Sequence, residues 1–318
     1  MGETPDDPSS PAIVETASAV VEDVVAIAAQ NSKGILAMLA SMAFFIGNDT
    51  LVKLASQNLP TGEIIFLRGL MASALVLVVA RLAGAVPRPE LFRRPAIALR
   101  IVGELGATVF YLTALFRMPI ANVTALLQAV PLGATVAAVL FLGERVGWRR
   151  WLAVLAGLVG VLLIVRPGFA DFNSASLIAL LSVAFIVLRD LATRRVPATI
   201  PSLALTALTA MSVTFMGAIM VQYETYVPPT THELMLLAGA AVFLNGGYFF
   251  IVVAMRSGEM SVVAPFRYSV VLWAIAIGWI IWGDLPTLAG LIGIAIVTIA
   301  GIYTFVRERK ARPAAPPK

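Results

Sequence analysis

Cysteine is absent from the 318-residue sequence, and His232 is its only histidine. Without thiols the chain cannot form disulfides, thiolate metal sites or cysteine nucleophiles, and a single histidine leaves little basis for zinc binding or histidine-based acid–base catalysis. The sequence also contains neither an HExxH pattern nor a glycine-rich phosphate loop. We therefore expect a protein that is not an enzyme and that uses no metal or cofactor.

Charged residues make up only 13% of the chain, whereas apolar residues make up 59%. A soluble domain has roughly 25% charged residues, so this composition indicates a protein that lies in the lipid bilayer. The formal net charge is +5. Because the basic residues are scattered between apolar runs instead of forming one face, we do not expect nucleic acid as a partner.

Ten apolar runs are long enough to cross a bilayer as helices, for which about 20 residues are needed. The connections between them are short and polar, and they leave no room for a separate globular domain. The predicted fold class is therefore an all-α membrane protein with ten transmembrane helices. The runs lie near residues 34–55, 63–82, 96–116, 120–142, 148–165, 174–193, 202–221, 233–255, 261–282 and 287–306.

The N-terminal segment 1–32 differs from the rest of the chain. It is acidic and contains no lysine or arginine, so it lacks the basic start of a signal peptide. Two interpretations are open: a partly disordered acidic tail, or a short amphipathic helix that lies against the protein. The second is suggested by a helical stripe of apolar residues, namely Val14, Ala17, Val21, Val24 and Ala28. A basic tail is predicted at 307–318.

The lysine and arginine residues at the ends of the spans and in the segments between and beyond them are distributed very unevenly. With ten spans both termini lie on one side of the membrane, and that side has sixteen of these residues. The other side has only Lys53, Arg117 and Arg166. The positive-inside rule therefore predicts that both termini are cytoplasmic.

The two halves of the chain repeat each other at a nearly constant offset. Asp49 falls on Asp190 at a spacing of 141, and Gly106 falls on Gly246 at a spacing of 140. Each copy holds five spans, an odd number, so the second copy enters the membrane upside down relative to the first. We place the first five-helix repeat at 33–168 and the inverted repeat at 174–306. Such inverted repeats are typical of secondary transporters, which bind substrate near the midplane between the halves.

Two stretches of the chain resemble a known family. The run FFIGNDTLVKLASQNLPTGEIIFLRGLMA at 44–72 is similar to the first two helices of the EamA-type family in the drug/metabolite transporter superfamily, and the run at 111–168, from YLTALFRMPIAN to LLIVRPG, resembles helices three to five of the same repeat. The resemblance implies a carrier of amino acids, amines, nucleosides, vitamins or nucleotide conjugates. Bacterial ten-helix metabolite exporters, including aromatic amino-acid exporters, are particularly similar, and riboflavin and S-adenosylmethionine carriers share this build.

Ionisable side chains inside spans cost roughly 2.5–3.5 kcal/mol to insert, and they mark function by default. Glu104 and Arg267 lie about 12 and 9 Å deep from the same side, so they can pair across the two repeats. Arg100 competes for Glu104, because it lies one helical turn away. Glu104 and Arg267 either face a substrate cavity, with Glu104 as a candidate coupling residue, or form a permanent ion pair. Arg189 and Asp190 are interpreted as topology markers.

Asp49 and Arg68 are matched in depth in the other half of the membrane, and Lys53 lies one turn beyond Asp49. The favoured interpretation is a charge cluster that holds together the ends of helices one and two. A coupling or gating role for Asp49, Asn48 and Arg68 is the alternative.

Uncharged residues complete the candidate substrate site. Gln128 and Asn245 lie within spans, where each amide needs a hydrogen-bonding partner. Pro131 and Pro265 each remove a backbone hydrogen bond and predict kinks in the fourth and ninth helices. In the family that the sequence resembles, helices three, eight and nine line the cavity, which adds Tyr111, Tyr248, Tyr268 and Trp273.

The predicted function is secondary-active transport of a small organic metabolite across a bacterial inner membrane by a monomer with alternating access. An amino acid, aromatic ones included, or a related amphipathic solute is the favoured substrate. Uptake of riboflavin or S-adenosylmethionine is the alternative within this class. A channel lacks support because no TVGYG-type filter is present, and a non-transporting membrane scaffold is the alternative from another class.

The orientation can be tested with a reporter enzyme that is active only in the periplasm. When it is fused after Lys318 it should be inactive, because the basic flanking residues hold that end in the cytoplasm. The same reporter inserted in the 223–233 connection should be active. The reverse pattern of activities would overturn the predicted topology.

Overall fold

The structure is a computed structural model that describes residues 11–85, 89–143, 147–165, 174–197, 199–257 and 260–310. Within these ranges the chain forms ten helices and no strand, and a short 3-10 helix, Pro89–Arg93, precedes the third. The helices are α1 (Pro11–Ala55), α2 (Thr61–Leu82), α3 (Pro95–Arg117), α4 (Ile120–Leu127 and Val130–Leu142), α5 (Trp148–Val165), α6 (Ala175–Arg194), α7 (Ser202–Val221), α8 (Thr231–Ser257), α9 (Met260–Val263, the 3-10 segment Ala264–Ser269 and Val270–Trp282) and α10 (Leu288–Lys310).

The ten predicted spans are confirmed, since each helix overlaps one of them. Eight helices of the described residues are long and apolar enough to cross a membrane, and α5 and α10 hold shorter apolar stretches, Trp151–Val165 and Leu288–Tyr303. A helix satisfies its own backbone polar groups, which lipid cannot do, and this explains why the apolar runs adopt that structure. We call the side on which α1 begins and α10 ends the terminal face, and the other side the opposite face.

The helix α1 starts well before the first span. It begins at Pro11, a residue that suits the first turn of a helix, and runs without a break to Ala55. The structure thus favours a helix for residues 11–32, but as a continuation of the span and not as a separate amphipathic helix. At 1.5 Å per residue this extension is about 33 Å long. Residues 1–10 and 311–318 lie outside the described residues.

Two helices are interrupted within the membrane. The break in α4 falls at Gln128 and Ala129, and Pro131 lies in the first turn of the piece that follows. In α9 a 3-10 segment replaces the α-helix from Ala264 to Ser269, with Pro265 in its first turn. Proline is tolerated at these positions because the first turn of a helix does not need its backbone N–H groups for hydrogen bonds within the helix.

The most extensive helix contacts join the two repeats. They pair α1 with α8, α3 with α6, α2 with α7 and α5 with α10. Exchanging the repeats, by a shift of five helices, converts the α1–α8 contact into the α6–α3 contact and leaves the α2–α7 and α5–α10 contacts unchanged. The packing therefore has the pseudo-two-fold symmetry expected of two inverted repeats.

The symmetry extends to single hydrogen bonds. Ser41 Oγ of α1 donates to the carbonyl oxygen of Gly247 in α8 at 2.8 Å. At the equivalent place Ser182 Oγ of α6 donates to the carbonyl oxygen of Ala107 in α3 at 3.2 Å. The repeat offset relates the two serines to each other and the two acceptors to each other, so the offset seen in the sequence marks equivalent positions in space.

Small residues allow helices to pack closely where a helix contacts its own counterpart in the other repeat, as α5 does with α10 and α2 with α7. A Cβ on Gly160 of α5 would lie 2.9 Å from the carbonyl oxygen of Gly293 in α10, and one on Gly293 would lie 2.7 Å from that of Gly160. Between α2 and α7, the equivalent residues Ser73 and Thr214 hydrogen-bond to each other at 2.9 Å. Both contacts lie where the two repeats meet their own counterparts.

We expect Gly160→Ala to destabilise the protein, because its Cβ would overlap the backbone of α10. The loss should be about 1–3 kcal/mol, measured as a lower Tm of the purified protein in detergent. Gly147→Ala is the control, since a Cβ at Gly147 meets no atom within 4 Å. Equal Tm values for the two variants would contradict the close contact.

Candidate functional site

Two clusters of polar side chains lie within the apolar helices, at different depths. The first, near the terminal face, consists of Glu104 and Arg100 of α3 with Arg189, Asp190 and Thr193 of α6; we call it the Glu104 cluster. The second, nearer the opposite face, consists of Asn48 and Asp49 of α1, Arg68 of α2 and Tyr111 of α3; we call it the Asp49 cluster.

The Glu104 cluster is organised by Arg189. Its Nη1 lies 3.2 Å from Glu104 Oε2, and its Nε and Nη2 each lie 2.9 Å from Asp190 Oδ1. Arg100 Nη1 donates to Thr193 Oγ1 at 2.7 Å, and this hydroxyl donates to the carbonyl oxygen of Arg189 at 2.6 Å. Because Glu104 belongs to the first repeat and Arg189 to the second, the ion pair joins the two repeats.

The Asp49 cluster is a chain of hydrogen bonds. Arg68 Nη1 donates to Asn48 Oδ1 at 3.2 Å, and Asn48 Nδ2 donates to Asp49 Oδ1 at 2.9 Å. The Tyr111 hydroxyl donates to Asp49 Oδ2. The amide of Asn48 thus stands between the positive charge of Arg68 and the negative charge of Asp49.

The two clusters share one pair of equivalent positions. The repeat offset carries Asn48 and Asp49 onto Arg189 and Asp190. Because the second repeat is inverted, the equivalent positions lie towards opposite faces of the membrane. These positions therefore contribute an aspartate on each side of the midplane, whereas the equivalents of Arg68 and Tyr111, Thr209 and Ile251, belong to neither cluster.

Tyr248 of α8 lies between the clusters. The charges of Glu104, Arg189 and Arg68 all act on its hydroxyl. Its side chain is nevertheless 48% exposed and makes an edge contact with Phe45, with 5.3 Å between ring centroids. Tyr248 thus combines an exposed side chain with the influence of charged groups from both clusters.

The expected pair of Glu104 and Arg267 is wrong. The partner of Glu104 is Arg189, for which the sequence predicts only a topological role. Arg267 is exposed and forms no ion pair with another described residue. The reason is lateral position: α3 packs against α6, whereas α9 packs against α1 and α4. The sequence predicts how deep each charged residue lies in the membrane, but not which helices are neighbours at that depth. The repeat offset to Asn48 and Asp49 was the signal that could have identified Arg189 and Asp190.

Lys53 also differs from expectation, because it does not extend the charge cluster around Asp49. Its Nζ donates to the carbonyl oxygens of Leu115 and Met118 at 2.5 and 2.7 Å, and it lies 5.6 Å from the ring centroid of Trp282. A cation at the last carbonyls of a helix compensates their unpaired charge. Lys53 thereby ties α1 to the ends of α3 and α9 at the opposite face.

Two predicted amides are satisfied within their own helices. Gln128 Nε2 donates to the carbonyl oxygen of Thr124 at 3.3 Å, and Asn245 Nδ2 donates to that of Ala241 at 2.8 Å. These bonds use the amide nitrogen of each side chain and not its oxygen. In the described part of the chain no three acidic or histidine side chains converge in a way that would hold a metal ion.

The two aromatic candidates of α9 lie away from both clusters. Tyr268 is 4% exposed and packs on Gly301 of α10. Trp273 is 40% exposed, and Phe266 and Ile280, two helical turns to either side of it, are exposed as well. Because residues two turns apart share a helix face, Trp273 continues an apolar stripe that is typical of a lipid-facing surface.

The described chain matches the EamA-like transporter family twice, at residues 32–166 and at residues 173–307. The chain belongs to the EamA-like transporter family. The two matched segments coincide with the two five-helix repeats. This EamA-like protein is therefore a multi-pass membrane protein with the two-repeat architecture, and its relatives are transporters.

Several curated relatives match over most of this EamA-like chain. The pseudopaline exporter CntI of Pseudomonas aeruginosa (strain UCBPP-PA14) is 30% identical over 84% of this chain and 94% of its own. The S-adenosylmethionine uptake transporter of Rickettsia prowazekii is 25% identical over 87% and 94%. The riboflavin transporter of Vibrio cholerae is 26% identical over 65% and 69%. A crystal structure with 21% identity has the same fold, with a TM-score of 0.58 over 87% of this chain and 99% of that one.

We expect Arg189→Gln to lower the free energy of unfolding by about 2 kcal/mol, because it leaves Glu104 without its cation in a partly buried place. Adding Glu104→Gln should recover part of the loss, since both charges are then gone. Tm values of the single and double variants measure this coupling, with the exposed Arg256→Gln as a control. Strictly additive losses would mean that the ion pair contributes nothing.

Proposed function

We propose that this EamA-like protein is a secondary-active carrier that moves a small organic metabolite across a bacterial inner membrane by alternating access. The observation that carries the proposal is the presence of charged clusters at two depths, built around the equivalent residues Asp49 and Asp190, with the exposed side chain of Tyr248 under the influence of both. Inverted repeats with a shared site between them can open to one side and then to the other by exchanging conformations.

The two faces differ in a way that supports this mechanism. In the Glu104 cluster the side chains of Arg189 and Asp190 are 26% and 45% exposed, so solvent reaches them from the terminal face. In the Asp49 cluster Asn48 and Arg68 are buried. The opposite face is held together by Lys53 and by contacts between the repeats there. The described conformation thus fits a carrier that is open towards its termini.

Contacts between α2 and the chain after α7 contribute to that closure. The backbone N–H of Gly62 donates to Glu224 Oε2 at 2.8 Å, and the backbone N–H of Val227 donates to Glu63 Oε2 at 3.3 Å. Both link the first repeat to the second at the opposite face. Opening that face requires these bonds and those of Lys53 to break.

The favoured substrate is an amino acid or a related amphipathic solute. A site with both charges beside an aromatic side chain suits a molecule that combines ionised and apolar parts. The names of the relatives support uptake as well as export, so an uptake carrier for a solute such as S-adenosylmethionine or riboflavin is the second candidate. The side chains of both clusters come from one chain, so we propose a monomer.

Glu104 is the proposed coupling residue. It can exchange its bond to Arg189 for a proton or for a cationic group of the substrate, because its side chain is 19% exposed and solvent can reach it. Such an exchange would release Arg189 and change the contact between α3 and α6.

Proteoliposomes test the carrier and its coupling together. We expect saturable counterflow of labelled phenylalanine, S-adenosylmethionine or riboflavin, with and without a pH gradient. Glu104→Gln should slow transport about tenfold and abolish its response to pH, because the proton-binding carboxyl is lost. Glu90→Gln, at an exposed position outside the membrane, is the matched control. Unchanged turnover and pH response in Glu104→Gln would discard the coupling role, and non-saturable flux would indicate a pore.

A further inference from the structure

Arg68 differs from Arg189 in how its charge is compensated. It lies about 10 Å from the end of α2 at the opposite face, and its side chain is buried, with 8% exposed. Arg189 contacts two carboxylates, those of Glu104 and Asp190. Arg68 forms no ion pair with any carboxylate of the described residues.

Most hydrogen-bond donors of Arg68 are unused. A guanidinium has five N–H groups, and within the described chain Arg68 uses one of them, towards Asn48 Oδ1 at 3.2 Å. Its Nε is buried and has no partner there. Asn48 also keeps Asp49 from contacting Arg68 directly, because its amide donates to Asp49.

The nearest carboxylate does not use these donors. The charge of Asp49 acts on Arg68, but Asp49 is bound by Asn48 and Tyr111 and does not contact the guanidinium directly. Three nitrogen atoms of Arg189 contact carboxylates, whereas Arg68 contacts none of the described carboxylates. Buried donors without partners are costly, and a direct acceptor at Arg68 would remove that cost.

We propose that Arg68 binds the carboxylate of the transported solute. A carboxylate accepts two parallel hydrogen bonds from a guanidinium and so supplies the direct partner that Arg68 lacks. Asp49, held by Asn48 and Tyr111 beside it, then faces a cationic group of the same solute. The substrate class is thereby narrowed to solutes with an amino-acid head group, a conclusion that rests on the proposed function as a carrier.

Chemical modification tests the site without knowledge of the solute. Phenylglyoxal reacts with accessible guanidinium groups, and mass spectrometry after digestion of the labelled chain reports each arginine. In nanodiscs, excess benzoate should slow modification of Arg68 by about threefold or more, whereas benzamide, which lacks the charge, should not. Arg81, exposed at the other end of α2, should react equally with both. An unreactive Arg68, or equal protection by both compounds, would overturn the proposal.

Counterflow in proteoliposomes separates this proposal from that of a carrier. Arg68→Gln should lower counterflow of a carboxylate-bearing solute, S-adenosylmethionine or phenylalanine, about tenfold, mainly by raising KM. Arg68→Lys should recover part of the loss, and Arg81→Gln should behave as the wild type. If Arg68→Gln does not fold, the Lys variant and the labelling experiment decide.

The two proposals fail in different ways. Counterflow of riboflavin alone, a solute without a carboxylate, would leave the carrier standing and overturn the carboxylate site. Protection of Arg68 by benzoate together with the absence of counterflow for every solute would support the site and contradict the carrier.

Discussion

The structure depends on the packing of each repeat against the other. Neither five-helix repeat is a compact body, because the most extensive contacts of α1, α2, α3 and α5 are all with helices of the second repeat. Glycine and serine at these contacts bring backbones close together, as Ser41 does with Gly247 and Gly160 with Gly293. The ion pair of Glu104 in α3 with Arg189 in α6 forms because the repeats pack against each other in this way.

Equivalent positions in the two repeats have become chemically different. The positions of Asn48 and Asp49 are equivalent to those of Arg189 and Asp190. In one repeat a neutral amide precedes the aspartate, and in the other an arginine does. The first arrangement leaves Arg68 with unused donors, whereas the second gives Glu104 a cationic partner. Equivalent positions thus support a site with unused hydrogen-bond donors on one side and an ion pair between the repeats on the other.

The helices and the repeat could be predicted because both depend on patterns within the linear sequence. Apolar runs of fixed length specify spans, and a nearly constant offset between the two halves survives divergence of the side chains. The partner of Glu104 could not be predicted from depth, since depth says nothing about which helices are neighbours. Trp273 was expected at the site because of its helix, and the exposed residues around it show an apolar outer face instead. The predicted roles of Gln128, Asn245 and Tyr268 in binding are still predictions.

The length of α1 has a mechanical consequence. One unbroken helix carries Asn48 and Asp49 near the opposite face and continues to Pro11, about 33 Å beyond the start of the span. A rigid rod amplifies angular motion: a tilt of about 10° at the membrane moves the far end of this extension by about 6 Å. A rearrangement at the Asp49 cluster that tilts α1 is therefore converted into a displacement that is large enough to be sensed outside the membrane, at the end of the chain farthest from the site.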